Sequence, residues 1–346
     1  LCRNPTFMRW EDISGQERAV RLLRGALEGG RVHHAYLLAG PEGVGKELLA
    51  RTFAQAANCE ADDPRARPCG SCPSCRGIER GNFPDVSFLM PQTELLARGL
   101  VSRADLEGVP SKEIRVDDVR ALARRLSFAA LRARRKIAIV TPADAMNERA
   151  QNTLLKTLEE PPAGTTFLLV STNPDALLPT IRSRCARVQL GPVPEDALAA
   201  RLLREGVAEG EARERAGRAQ GSFSRALAAQ GEWRELLEQV EDALEAADER
   251  EALDLAETHG DRDAALEVAE AVQGWTRDLL VSRSGGSPQV RELAARAREI
   301  AERVPPHRLL GQAALCAEVI EALHQNGNGR LQLERLLLGT RELRHV

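Results

Sequence analysis

The stretch Ala35-Tyr36-Leu37-Leu38-Ala39-Gly40-Pro41-Glu42-Gly43-Val44-Gly45-Lys46-Glu47 sets an apolar run, a glycine loop and a lysine one after another. The apolar run reads as a strand, and the run Glu47 to Ala57 behind the loop reads as a helix. Gly40-x4-Gly45-Lys46 between them is therefore a phosphate-binding loop in its proper context. Gly40, Gly43 and Gly45 let backbone N–H groups turn inward around phosphate oxygens. Lys46 reaches for the terminal phosphates, and the helix adds its positive N-terminal end.

Working outward, Val86-Ser87-Phe88-Leu89, Ile137-Ala138-Ile139-Val140 and Phe167-Leu168-Leu169-Val170 are further apolar runs separated by helical patterns. Continuous apolar strands alternating with helices predict a parallel sheet buried on both faces, an α/β fold. Beyond Leu190 the strand signal ends. Gly191-Pro192-Val193-Pro194 punctuates the chain, and the remaining residues are rich in Ala, Leu, Glu and Arg. Glu195 to Leu227 reads as three short helices interrupted by Gly206, Gly210, Gly217 and Gly221, a small domain ending near Gly231. Longer amphipathic patterns from Trp233 onward predict a helical bundle, with the charged stretch Glu241 to Arg262 as a solvated face.

The loop lacks what hydrolysis needs. The position after Lys46 should carry a hydroxyl for a phosphate-bridging magnesium, yet it is Glu47, a carboxylate expected to face phosphate anions. After the strand Ile137–Val140, Thr141 stands where a magnesium-holding Asp belongs and Pro142 where a water-activating Glu belongs. Asp144 lies too far along the chain to replace them. Hydrolysis is not expected. Nucleotide binding by the surviving glycines and Lys46 stays open.

Composition narrows the class. With 43% hydrophobic and 29% charged residues over 346 positions, the chain is globular and long enough for several domains. No apolar run reaches the ~18 to 20 residues of a membrane span. Leu1 to Phe7 lacks the apolar core of a secretory signal, Met8 is a candidate start, and the expected location is the cytoplasm. With a net charge of -3, nucleic-acid contact would need a local basic patch or assembly with partners, and 3% aromatic residues argue against a single-strand binder that stacks bases on exposed rings.

Four of the seven cysteines fall in Cys59-x9-Cys69-x2-Cys72-x2-Cys75, a spacing that brings four thiolates around one tetrahedral ion. Soft ligands, turns at Gly70-Ser71 and Pro73-Ser74, and a reducing compartment favour structural zinc over disulfides or free thiols. Cys2, Cys185 and Cys316 are isolated.

Downstream lie Asn152-Thr153-Leu154-Leu155-Lys156-Thr157-Leu158-Glu159-Glu160-Pro161-Pro162, then Phe167 to Pro174, then Ile181-Arg182-Ser183-Arg184-Cys185. Ala150, just before the first string, and Leu154, Leu155 and Leu158 within it form the buried face of a helix that Pro161-Pro162 stops. Together the strings resemble the bacterial clamp-loader subunits of DNA polymerase III over about Arg9 to Leu227. Glu47 with Thr141 and Pro142 is similar to the delta prime branch, whose nucleotide site is degraded, rather than to the gamma/tau ATPases.

The resemblance implies an AAA+ phosphate-loop domain over residues 8–190 with a zinc module inserted at about 58–80. A helical lid over 191–231 and an all-α collar over 232–346 would come after it. It implies that Arg184 is an arginine finger acting in trans on a neighbour's ATP, a task that suits a planar, permanently charged guanidinium. It also implies partners: gamma/tau and delta subunits, and through them the beta sliding clamp and primed DNA. Such a chain would be no enzyme by itself but part of a DNA-directed DNA polymerase holoenzyme. Ser171-Thr172-Asn173 falls at one sensor position, and Arg225 lies one place later than the second sensor of the active subunits. Arg120, Arg124, Arg125, Arg132, Arg134 and Arg135 are basic positions that could face DNA phosphates. Two other readings stay open, a gamma/tau-type motor ATPase and a zinc-dependent nucleic-acid binding module.

Overall fold

A computed structural model describes residues 9–106, 108–228, 232–246, 248–286, 288, 293–324 and 327–345. Cys2, Met8 and the expected domain end at Gly231 lie outside the described residues. Five parallel strands, β1 (Ala35–Ala39), β2 (Val86–Leu89), β3 (Lys136–Val140), β4 (Thr165–Ser171) and β5 (Ala186–Gln189), form one sheet in the order β2-β3-β4-β1-β5. Every residue of β1, β3 and β4 is buried, as expected of strands covered on both faces. The reading of four apolar runs missed β5. At this edge only Val188 is buried, while Arg187 and Gln189 face out and bond each other, so no apolar run marks the strand.

Helix α1 (Glu17–Glu28) precedes β1, and α2 (Lys46–Asn58), α3 (Pro73–Glu79), α4 (Gln92–Ala97), α5 (Val116–Ser127), α6 (Glu148–Glu159) and α7 (Pro179–Arg182) lie between the strands. Helix α2 begins where Gly45 takes φ +93°, a left-handed turn that side chains with a Cβ rarely adopt. Helix α6 begins where the Asn147 carboxamide accepts from the Ala150 amide at 3.0 Å. Its inner face buries Ala150, Leu154 and Leu158, with Leu155 half-buried beside them, and it ends at Glu159 ahead of Pro161-Pro162. Buried Gln151 bonds the carbonyls of Met146 and Ala176 and the amide of Leu178, tying α6 to the segment that leads into α7.

The chain divides into two compact units. The first runs to Arg201 and takes in Gln220–Ser224, and the second comprises Leu202–Ala219 and the residues from Arg225 onward. Helices α8 (Glu195–Arg204), α9 (Glu209–Arg218) and α10 (Phe223–Ala228) match the three short helices read from sequence. Gly210 and Gly217 do not interrupt them, however. Both lie inside α9, where flanking Glu and Arg residues keep the helical register.

Helices α11 (Glu232–Glu245), α12 (Arg250–Thr258), α13 (Arg262–Arg283), α14 (Ala294–Arg303), α15 (Pro306–His324) and α16 (Gly329–His345) pack around α13. One core gathers Val240, Leu244, Val268, Val272, Val319 and Leu336, and a second gathers Leu237, Trp275, Leu279 and Ile300. The stretch from Glu241 to Arg262 is not a simple solvated face. Glu241 and Arg344, each 1% exposed, form a two-pronged ion pair at 2.9 Å, and Ala252 and Ala256 are fully buried. Arg344 also bonds Gln312, which bonds Thr276, so one polar chain links α11, α16, α15 and α13.

Candidate functional site

The phosphate loop lies at the C-terminal end of β1, where open parallel sheets bind ligands. Its lysine points inward. Lys46 is 6% exposed and donates to the carbonyls of Gly40 (2.8 Å) and Pro41. Burial lowers the proton affinity of its ammonium group, and the nearby charges of Glu42 and Asp144 work against that. The Gly43 carbonyl accepts from the Phe223 amide at 2.8 Å, and a Cβ at Gly43 would lie 2.0 Å from the Ser222 hydroxyl. The loop is thus clasped by the segment Gly221–Phe223, which the Gly221 carbonyl fixes by accepting from the Val193 amide. No sequence motif announced this clasp.

Glu47 does not face the phosphate position as the sequence suggested. Arg98, just past the end of α4, grips its carboxylate with bonds of 2.6 and 3.0 Å, and Arg51, one turn along α2, adds a third at 2.9 Å. Burial alone would push the Glu47 carboxyl up, but these two guanidinium groups outweigh it and hold the carboxyl below its usual range. Arg51 in turn covers the Phe88 ring at 4.3 Å. The residue standing where a magnesium ligand belongs is therefore a fully engaged anion. Arg98 carries no sequence signal, because nothing in the chain pattern places α4 beside the start of α2.

At the second acidic position Thr141 is buried, its amide bonded to the Leu89 carbonyl, and Pro142 comes next. Asp144 lies nearer than its chain position implied, close enough to act on Lys46. Its carboxylate accepts from the amide and hydroxyl of Thr172, just past β4, at 3.2 Å each.

Arg184 sits between α7 and β5. Its guanidinium pairs with Glu159, the last residue of α6, at 2.7 Å and donates to the Thr180 carbonyl at 3.0 Å. Arg182 pairs with Asp175 instead. Arg225 pairs with Glu270 of α13 at 2.9 Å. Of the basic positions, Arg120 pairs with Asp117 and Arg135 bonds Thr166, while Arg124, Arg125, Arg132 and Arg134 are exposed.

The four cysteines converge. All four sulfurs of Cys59, Cys69, Cys72 and Cys75 lie within 4.8 Å of one another, near the ~3.8 Å edge of a sulfur tetrahedron around a metal at ~2.3 Å. The Cys69 and Cys75 amides donate to the sulfurs of Cys59 and Cys72 at 3.3 and 3.4 Å, and the Ser71 hydroxyl points to Cys69. Such donors favour thiolate. Burial and the neighbouring sulfurs push the Cys75 thiol well up, while at Cys69 burial is outweighed by hydrogen bonds that hold the thiol down to about 6, and a cation among the four sulfurs would offset the repulsion of their thiolates. The donor set therefore fits a closed metal site. Cys185 and Cys316 are buried away from the cluster, and burial raises both thiols, to about 12 and about 11.

Comparison with known proteins shows the family. The chain is 40% identical over 168 residues to DNA polymerase III subunit delta′ of Pseudomonas aeruginosa, covering 48% of this chain and 46% of that one. It is 37% identical over 190 residues to DNA polymerase III subunit tau of Salmonella typhimurium, covering 55% of this chain and 26% of that one. It thus spans less than half the length of either relative. A crystal structure of a DNA polymerase III gamma subunit-related protein of Thermotoga maritima superposes over 95% of this chain and 100% of that one, with TM-score 0.50 and 18% identity, which speaks to fold alone. The family model described as DNA polymerase III, delta subunit, matches residues 15–194, just over half of the sequence, and the chain belongs to that family of clamp-loader proteins with an AAA+ phosphate-loop fold.

Proposed function

We propose that this chain is a non-hydrolysing, delta prime-like clamp-loader subunit. In this reading it assembles with gamma/tau and delta subunits, offers Arg184 to a neighbour's ATP, and helps place the beta sliding clamp on primed DNA. The observation that carries the proposal is the Glu47–Arg98 pair. A carboxylate held ionised by two arginines cannot take the place of a magnesium-binding hydroxyl, and Thr141-Pro142 supplies neither a second metal ligand nor a base. The clasp on Gly43 and the inward turn of Lys46 support the same reading.

The domain limits proposed are an AAA+-type domain over 8–190, a lid over 191–231 and a collar over 232–346, the last containing two apolar cores and the Glu241–Arg344 pair. Zinc is the metal proposed for Cys59, Cys69, Cys72 and Cys75. Bound there it would cross-link the end of α2 to α3 and leave no open coordination position for catalysis. No helix among the described residues is long and apolar enough to cross a membrane, and the proposed location is the cytoplasm.

Purified alone, the chain should show no magnesium-dependent ATP turnover. Mixed with gamma/tau and delta subunits it should support DNA-stimulated turnover, and Arg184→Ala should lower that turnover at least ~10³-fold at the neighbouring site while leaving assembly intact. Robust ATPase of the isolated chain, or an Arg184→Ala complex with undiminished turnover, defeats the reading.

A further inference from the structure

Arg184, the group proposed to act on another subunit, is already bound within its own chain. Its guanidinium lies 2.7 Å from Glu159 and 3.0 Å from the Thr180 carbonyl. The guanidinium is held by two partners. Glu159 is an odd choice of partner. It closes α6 at the end where the helix dipole disfavours an anion by a few tenths of a kcal/mol, roughly what a surface ion pair returns. The two side chains are 36% and 43% exposed, so the contact adds little net stability.

The mutual position of the two residues is nevertheless tightly set. Helix α6 is capped by Asn147 and buried along Ala150, Leu154 and Leu158. Gln151, bonded to Ala176 and Leu178, fixes α6 against the segment carrying α7 and Arg184. The carboxylate is thus delivered to the guanidinium by a rigid scaffold. A weak contact built on such a scaffold suits a reversible hold. A terminal phosphate carries more negative charge than a carboxylate and offers several oxygens to the same fork of donors, so it can displace Glu159 once it is brought close.

Resting on the arginine-finger reading of Arg184, we propose that Glu159 is a positioning residue that holds Arg184 in a withdrawn state. The neighbour's nucleotide must then compete with Glu159 for the guanidinium. Closure of the assembly, which raises the local presence of the phosphate, is what tips the exchange.

The test uses the full-length chain reconstituted with gamma/tau and delta subunits, with ATP turnover measured with and without primed DNA. Glu159→Gln removes the charge but keeps the shape, and should raise DNA-independent turnover about two- to five-fold, the range a surface pair can account for. It should leave DNA-stimulated turnover and the melting temperature unchanged. Glu159→Asp, which keeps the carboxylate, should restore the low basal rate at least in part. In an Arg184→Ala background, Glu159→Gln should change nothing. If Arg184→Ala lowers stimulated turnover but Glu159→Gln leaves the basal rate unchanged or lower, the hold on Arg184 is refuted while the finger stands. If Arg184→Ala has no effect, the finger reading itself falls.

Discussion

One helix, α2, begins in the phosphate loop and ends at the cysteine cluster, and its two ends have kept different things. At the start Gly45 turns left-handed and Lys46 opens the helix, while the next residue, Glu47, is locked to Arg98 and Arg51. At the far end the side chains survive: four sulfurs converge within 4.8 Å, with amide donors behind them, and Gln55 bonds the Cys75 carbonyl to bind the cluster to the helix. The contrast teaches that packing and backbone conformation by themselves can require a loop's glycines, whereas a metal site would depend on its ligands. Gly40 shows the first half of this. A Cβ there would sit 2.5 Å from the Leu190 carbonyl, so the sheet requires that glycine whether or not a nucleotide binds.

The comparison can be broken most forcefully at the cysteine end. Cys75→Ser should abolish metal stoichiometry, measured by elemental analysis, and cost at least ~3 kcal/mol of stability, a part of the ~10 to 16 kcal/mol that structural zinc binding supplies. Strong chelators should lower the melting temperature of the wild type and leave that of Cys75→Ser unmoved. Freshly purified protein without metal, melting at the same temperature in chelator, would remove one side of the contrast.

At the loop end the expected effect is smaller and depends on pH. Arg98→Ala should destabilise the chain by about 1 kcal/mol near neutral pH, since the pair is only partly screened from water. The folded-state Glu47 carboxyl lies below its usual value of 4.5, so its contribution is fully present above that pH and is lost as pH falls through the depressed folded value. Denaturant melts at a series of pH values should show wild type and Arg98→Ala converging in acid. A difference independent of pH would mean that Arg98 acts by packing instead.

The smallest effect is expected for Glu47→Thr, which restores the hydroxyl a magnesium site needs. ATP turnover should stay at background, because Thr141 and Pro142 still offer neither ligand nor base. Measurable hydrolysis by this single variant would show that the loop had lost one side chain rather than its whole metal-binding apparatus.

Much of the first unit was legible because its signals are local. An apolar run buried on both faces names itself, as β1, β3 and β4 do, and a glycine loop between strand and helix needs no distant partner to be recognised. Cysteine spacing likewise announced a cluster that the fold then closed. The edge strand β5 stayed hidden because a strand with one covered residue has no apolar run to show.

What the sequence alone determined was chemical identity: four cysteines at a cluster's spacing, a glycine loop with its lysine, and a carboxylate next to it at position 47. What only the tertiary structure decided was pairing. Glu47 is 51 residues from Arg98, and Glu241 is 103 from Arg344. Arg184 reaches back across β4 to Glu159. A charge in sequence looks the same whether solvent or a distant arginine will neutralise it, because electrostatic energy depends on separation and burial, which exist only once the chain has folded.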